Sequence, residues 1–200
     1  MIILKERTVV EVEKIRGSRF IGYGERIRST TDATSFLEEV RALHVHASHH
    51  CFAWRISTGE ERSSDDGEPR GSAGVPILKR LISKQCVQTM LVVVRYFGGT
   101  KLGVGGLVRA YGQTADAVLA ASSFEEYREW SVIFFRYQYS DTGQVERILA
   151  RFEHRVMEQS YSEQVSVKIS VLKEQVKDFC SLLHEQSGGR IVPTNTVQTQ

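Results

Sequence analysis

Three acids within four residues, Asp65, Asp66 and Glu68, open the stretch of this 200-residue chain where chemically capable side chains are densest. Carboxylates clustered this way could hold Mg²⁺ or serve as a general base, and like charges crowded beside a cleft perturb one another's pKa. The same residues also have plain backbone uses, Asp66-Gly67 as a turn and Glu68-Pro69 as the approach to a helix. Beyond them, from Pro69 to Ala115, there is no Asp or Glu, while Arg70, Lys79, Arg80, Lys84, Arg95, Lys101 and Arg109 are all positive. That acid-free stretch ends in a glycine loop running from Arg95 to Arg109. Lys101 is followed by Leu102 rather than Ser or Thr, so this is no Walker A loop, and Val108 stands at the last glycine position of a dinucleotide fingerprint. What remains is an oxyanion reading. Gly98, Gly99, Gly105 and Gly106 let the backbone come close, the following helix offers N–H groups, and Arg95, Lys101 and Arg109 add positive charge for a phosphate. Tyr96 could stack on an exposed base, as could Phe97, Tyr111 or Tyr23. The glycines equally suit tight turns and close packing of a helix on a strand.

The other reactive side chains point to less. His44, His46, His49 and His50 crowd one connection, yet they lack both helical ligand spacing and a partner motif, so no metal site is expected and His49 reads as a hydrogen-bonded structural residue. Cys51, Cys86 and Cys180 are odd in number and far apart, which suggests reduced, mostly buried thiols. No catalytic residue is assigned and no cofactor is expected; Mg²⁺ at Asp65, Asp66 and Glu68 is the exception that the acidic cluster leaves open. A composition of 41% hydrophobic and 25% charged residues is that of a globular chain, and a net charge of +2 is too small by itself to announce a nucleic-acid binder. The first residues carry charge too early for a secretory signal and no run approaches a membrane span, so the expected location is the cytoplasm, without membrane contact.

Val9 to Lys14 and Arg19 to Ile27 read as a hairpin around Gly17-Ser18. Thr31 or Asp32 can cap a helix carrying Ala33, Phe36, Leu37, Val40 and Leu43 on one face. Cys51 to Ile56 is a strand leading into a polar loop, Ser57 to Ser64. Pro76 suits the first turn of a helix continued by Ile77, Leu78, Leu81 and Ile82. Thr89 to Val94 has the unbroken apolar run of a strand buried on both faces, and it delivers Arg95 and Tyr96 to its end. Val104, Leu107, Val108, Tyr111, Ala115, Val118 and Leu119 mark a helix after the glycine loop. A domain boundary is placed near Ser123. Beyond it the expected order is a strand from Trp130, a helix capped by an Asp141/Gln144 box, a hairpin of Val156 to Tyr161 and Val165 to Val171, a helix through Val176, Phe179, Cys180 and Leu183, and a short strand at Ile191-Val192. That βαββαβ order is the ferredoxin-like arrangement. The expected organisation is therefore residues 1–123, residues 124–193, and a flexible tail, 194–200.

The runs Asp65-Asp66-Gly67-Glu68-Pro69-Arg70-Gly71-Ser72-Ala73-Gly74-Val75-Pro76-Ile77-Leu78 and Arg95 to Tyr111, with Ser18 to Ile21 and His49 to Ala53, make the chain resemble the IMPACT family in its bacterial branch. The resemblance covers roughly residues 17–121, with Ser72, Val94 and Val45 as mild departures. It implies an α+β protein: an N-terminal βα domain like the second domain of ribosomal protein S-five, followed by a ferredoxin-like domain like the last domain of elongation factor G. It also implies a role near translation, because eukaryotic members regulate translation under stress. The leading expectation is a non-enzymatic RNA- or ribosome-associated regulator of translation that binds phosphate through the basic glycine loop. The alternatives are a metal-assisted enzyme on a phosphorylated small molecule, using Asp65, Asp66 and Glu68, and an adaptor that binds a translation-related protein.

Overall fold

A computed structural model describes residues 1–196. It divides the chain into two compact units, Met1–Tyr127 and Arg128–Gln200. No helix among the described residues is long and apolar enough to cross a membrane.

The first unit runs β1 (Ile2–Leu4), β2 (Thr8–Glu11), β3 (Arg19–Arg26), α1 (Thr30–Leu43), β4 (His49–Ser57), β5 (Glu60–Ser64), α2 (Gly74–Ser83), β6 (Thr89–Tyr96), α3 (Gly103–Ala121) and β7 (Phe124–Glu126). Five strands form an antiparallel sheet in the order β2-β3-β6-β4-β5. β6 lies at its centre, buried from Thr89 to Arg95, because its branched side chains face helices on both sides. Leu91 and Val93 pack with Ile77, Leu81, Leu107, Tyr111 and Val118 of α2 and α3. Met90, Val92 and Val94 pack on the opposite face with Ala33, Phe36 and Val40 of α1. Neighbours along β6 thus belong to different layers, as the two-residue period of a strand requires.

Three local readings change. The cap of α1 is Ser29 rather than Thr31 or Asp32: its hydroxyl accepts from Asp32 N while the Asp32 carboxylate accepts from Ser29 N, a capping box. The polar segment after β4 is an edge strand, β5, whose charged and serine side chains suit an exposed sheet margin. β1 and β7 pair with each other, so the first unit extends to Tyr127 rather than stopping near Ser123.

The second unit runs β8 (Trp130–Tyr137), α4 (Thr142–Leu149), β9 (His154–Tyr161), β10 (Val165–Leu172), α5 (Val176–Gln186) and β11 (Thr194–Thr196). Its antiparallel sheet has the order β11-β8-β10-β9, the ferredoxin-like topology. One face closes on α4 and α5 around Ile133, Phe135, Val167, Ile169, Phe179 and Leu183. Asp141 precedes α4 but makes no capping bond; its carboxylate accepts from Arg190 at 2.8 Å instead. Ile191 is buried in the core, and the last strand forms at Thr194–Thr196, inside the segment expected to be a flexible tail. The rest of that tail, residues 197–200, lies outside the described residues. The fold is α+β with a ferredoxin-like second unit, as expected.

Candidate functional site

The acidic run and the glycine loop meet at one end of the central sheet, but the acids turn inward. Asp65 lies ahead of α2, and its two carboxylate oxygens accept from the backbone of Gly71 at 2.7 Å, Ala73 at 3.0 Å and Gly74 at 2.8 Å. This is a helix cap supplied from nine residues upstream, needed because Ala73 at the N-cap has no side-chain acceptor. Burial opposes ionisation at Asp65, yet the donations from Gly71, Gly74 and Ala73 outweigh it and hold the carboxyl below its ordinary range. Asp66 accepts from His50 N at 2.7 Å and pairs with Arg41 at 3.0 Å. The His49 ring donates from Nδ1 to the Asp66 carbonyl at 2.8 Å, since a carbonyl only accepts. His49 is the hydrogen-bonded structural residue that its context suggested.

Glu68 is the most deeply placed of the three. One of its oxygens accepts from Arg95 Nη1 at 2.6 Å and from the Tyr111 hydroxyl at 2.8 Å. Arg95 also donates from Nη2 to Ser18 Oγ at 3.2 Å, and its guanidinium lies between the rings of Phe20 and Phe97. Arg95 is only 4% exposed and Glu68 9%. Arg95 is therefore engaged by a carboxylate inside the protein, where the sequence had suggested a phosphate. Burial pushes the Tyr111 hydroxyl and the neighbouring Cys51 thiol well above their ordinary ranges, so both remain protonated donors. Among the described residues, no group of three His, Cys, Asp or Glu side chains is placed to hold a metal ion. The three carboxylates that a metal-assisted reaction would use are each engaged by other groups of the protein.

Tyr96 points to the other face of the sheet from Arg95. Its hydroxyl meets His44 Nδ1 at 2.9 Å, and His44 Nε2 meets the Tyr23 hydroxyl at 2.5 Å. Burial, with smaller contributions from His50 and Arg19, lowers the His44 pKa. Tyr96 and Tyr23 thus belong to the α1 layer, and Tyr111 to the core beside Glu68. Among the four aromatics considered for stacking, Phe97 is the exposed one, at 49%.

The glycines divide by use. A Cβ at Gly98 would lie 1.9 Å from the carbonyl carbon of Gly17, so two backbones cross there without side chains, and Ser18 Oγ accepts from Gly98 N at 3.3 Å. Gly99 has φ +84°, a left-handed conformation that favours glycine. A Cβ at Gly106 would press on Leu102 at 3.1 Å. Gly105 is different: it is exposed, within α3, and an added Cβ would meet nothing nearer than Arg109 Nη1 at 4.0 Å.

Around that first turn of α3 the surface is basic and open. Lys101, Arg109 and, before α2, Arg70 are exposed, and none of the three has a carboxylate partner among the described residues. Leu102 at the N-cap supplies no acceptor, so among the described residues no side chain caps α3 as Asp65 caps α2. Val104 and Val108, expected in the core face of this helix, are instead 57% and 38% exposed. The missed network of Ser18, Glu68, Arg95 and Tyr111 did have a signal: an arginine closing an all-apolar strand needs a buried partner, and Glu68 is the last acid before it.

Comparisons with known proteins agree with this architecture. Residues 16–119 match the Impact N-terminal domain, and residues 135–190 match a domain of unknown function, DUF1949. An IMPACT family member of Haemophilus influenzae is 32% identical over 196 residues, covering 95% of this chain and 94% of that protein. The IMPACT family member YigZ of Escherichia coli is 32% identical over 187 residues, covering 92% of each. A solved structure described as a crystal structure of an hypothetical protein covers 100% of this chain and 98% of its own, with 29% identity and a TM-score of 0.66. Matched through both of its units and along nearly the full length of these relatives, the chain belongs to the IMPACT family.

Proposed function

We propose that the protein is a non-enzymatic, cytoplasmic regulator of translation that docks on RNA or the ribosome through the phosphate backbone. The observation that carries this reading is the first turn of α3: an uncapped helix N-terminus flanked by exposed Lys101 and Arg109, in a stretch that holds no acid. Helix N–H groups and mobile cations are what a phosphodiester needs, and neither reads sequence. Gly105 adds to it: a glycine there costs helix stability although no neighbour in the fold requires it, and it leaves the backbone open to close approach. Arg95 and Tyr96 take no part in this contact; Arg95 shapes the loop from within.

Fluorescence anisotropy with labelled duplex RNA, and co-sedimentation with ribosomes, test the reading. Binding should fall steeply between about 50 and 200 mM salt, and Lys101→Glu with Arg109→Glu should reduce the salt slope by about 2. Gly105→Ala should weaken binding while raising stability by about 0.5–1 kcal/mol. Unchanged affinity in the charge-reversal variant would refute the proposal.

A protein partner is the second reading, favoured by the exposed Phe97, Val104 and Val108 beside the same cations. Pull-down from extract with and without nuclease separates the two, since a direct protein contact survives loss of RNA.

A further inference from the structure

In the second unit both helices lie on one face of the sheet. α4 and α5 lie against the side carrying Ile133, Phe135, Val167 and Ile169. Alternation along the strands sends Trp130, Phe134 and Arg136 of β8 and Lys168 of β10 to the other side, together with Val132, Ser170 and Leu172, which are buried there. The register sets Lys168 beside Phe134 and places Ser170 next to Arg155 of β9. Across that small serine Arg155 reaches β8, where its guanidinium carbon stands 4.3 Å from the centre of the Trp130 ring. The Arg136 guanidinium carbon stands 5.3 Å from the centre of the Phe134 ring. Arg136 and Arg155 are exposed, and the rings beneath them are half-buried. Among the described strand residues, Arg136, Arg155 and Lys168 share this face with one carboxylate, Glu158, opposite Lys168.

We propose that this sheet face binds single-stranded RNA, with bases stacking on the two arginine-over-aromatic platforms and Lys168 near the backbone. Guanidinium planes and aromatic rings both accept a base on their flat sides, and a sheet can lay out splayed nucleotides in a way that a paired duplex, its base faces covered, cannot use. The excess of positive charge fits a polyanion rather than a protein surface, whose interface cores are depleted in charge. Trp130 and Phe134 lie four residues apart on one strand, roughly 14 Å at about 3.4 Å per residue, so the platforms hold separate nucleotides. The contact is distinct from the phosphate site at α3: it requires unpaired bases, whereas the α3 site requires only backbone.

The full chain has two tryptophans, so Trp54→Phe leaves Trp130 as the single reporter on this face. Titration with a short oligouridylate should quench Trp130, and the same length of duplex RNA should do so about tenfold less effectively or worse, as expected when a base–aromatic stack is lost. Arg136→Gln with Arg155→Gln should weaken oligouridylate binding by about tenfold while leaving duplex binding intact. Lys101→Glu with Arg109→Glu should leave the quenching in place. Quenching that is absent, or equal with duplex, or abolished only by the Lys101 and Arg109 changes, overturns the proposal. The last outcome would do so while leaving the α3 reading standing. A protein captured by this face after nuclease treatment, without quenching by oligouridylate, also overturns it.

Discussion

Glu68 and Arg95 form a buried ion pair in which Tyr111 also donates to Glu68 and Arg95 also donates to Ser18, while Arg95 Nε is buried without a hydrogen-bond partner. Such a pair contributes little net stability compared with apolar residues, but removing one partner leaves a charge stranded without water. Glu68→Ala should therefore cost about 3–5 kcal/mol, and Glu68→Ala combined with Arg95→Met should cost less than Glu68→Ala alone. Urea unfolding of the two variants measures this; equal losses, or a single-variant loss near zero, would contradict the burial described above. At this scale the sequence was half legible. It grouped Asp65, Asp66 and Glu68 as one cluster, but composition could not reveal that each accepts from different donors. It also grouped Arg95 with Tyr96, although adjacent residues of a strand must point to opposite faces.

Among the elements, α2 depends on a cap that is remote in sequence. The Asp65 carboxyl is held below its ordinary range in the fold, so its contribution is present above the unfolded value of about 4 and is lost as pH falls through the lower folded value. Asp65→Asn should flatten the acid limb of a plot of Tm against pH, since the amide keeps one acceptor but cannot titrate. Asp65→Ala should lower stability at neutral pH by about 1–2 kcal/mol or more, three backbone donors losing their acceptor. An acid limb unchanged in the asparagine variant would show that the cap does not carry the dependence. Elements with a strong apolar period or run, such as α3, β10 and β6, could be read directly from the sequence. β5 could not, because an edge strand of charged residues and serines lacks that period, and neither could β1 and β7, whose three-residue lengths hold too few positions to display one.

On the scale of the whole molecule, each unit closes its own hydrophobic core, the first on two faces of a sheet and the second on one. A fragment of residues 1–127 should therefore fold alone and unfold cooperatively, which circular dichroism and a thermal melt would establish; a fragment lacking a cooperative transition would show that its core is incomplete. The order βαββαβ was legible because its helices and strands differ in period, whereas the boundary was misplaced by the pairing of β7 with β1. That pairing binds Met1 to the far end of its unit, with the Met1 carbonyl accepting from Tyr127 N at 2.9 Å and Ile2 bridging to Cys86. As the chain is synthesised, β1 must wait, unpaired on one side, until β7 has been made. The first unit therefore cannot reach its finished state during translation before residue 126 is free, and its assembly is timed by its end rather than its beginning.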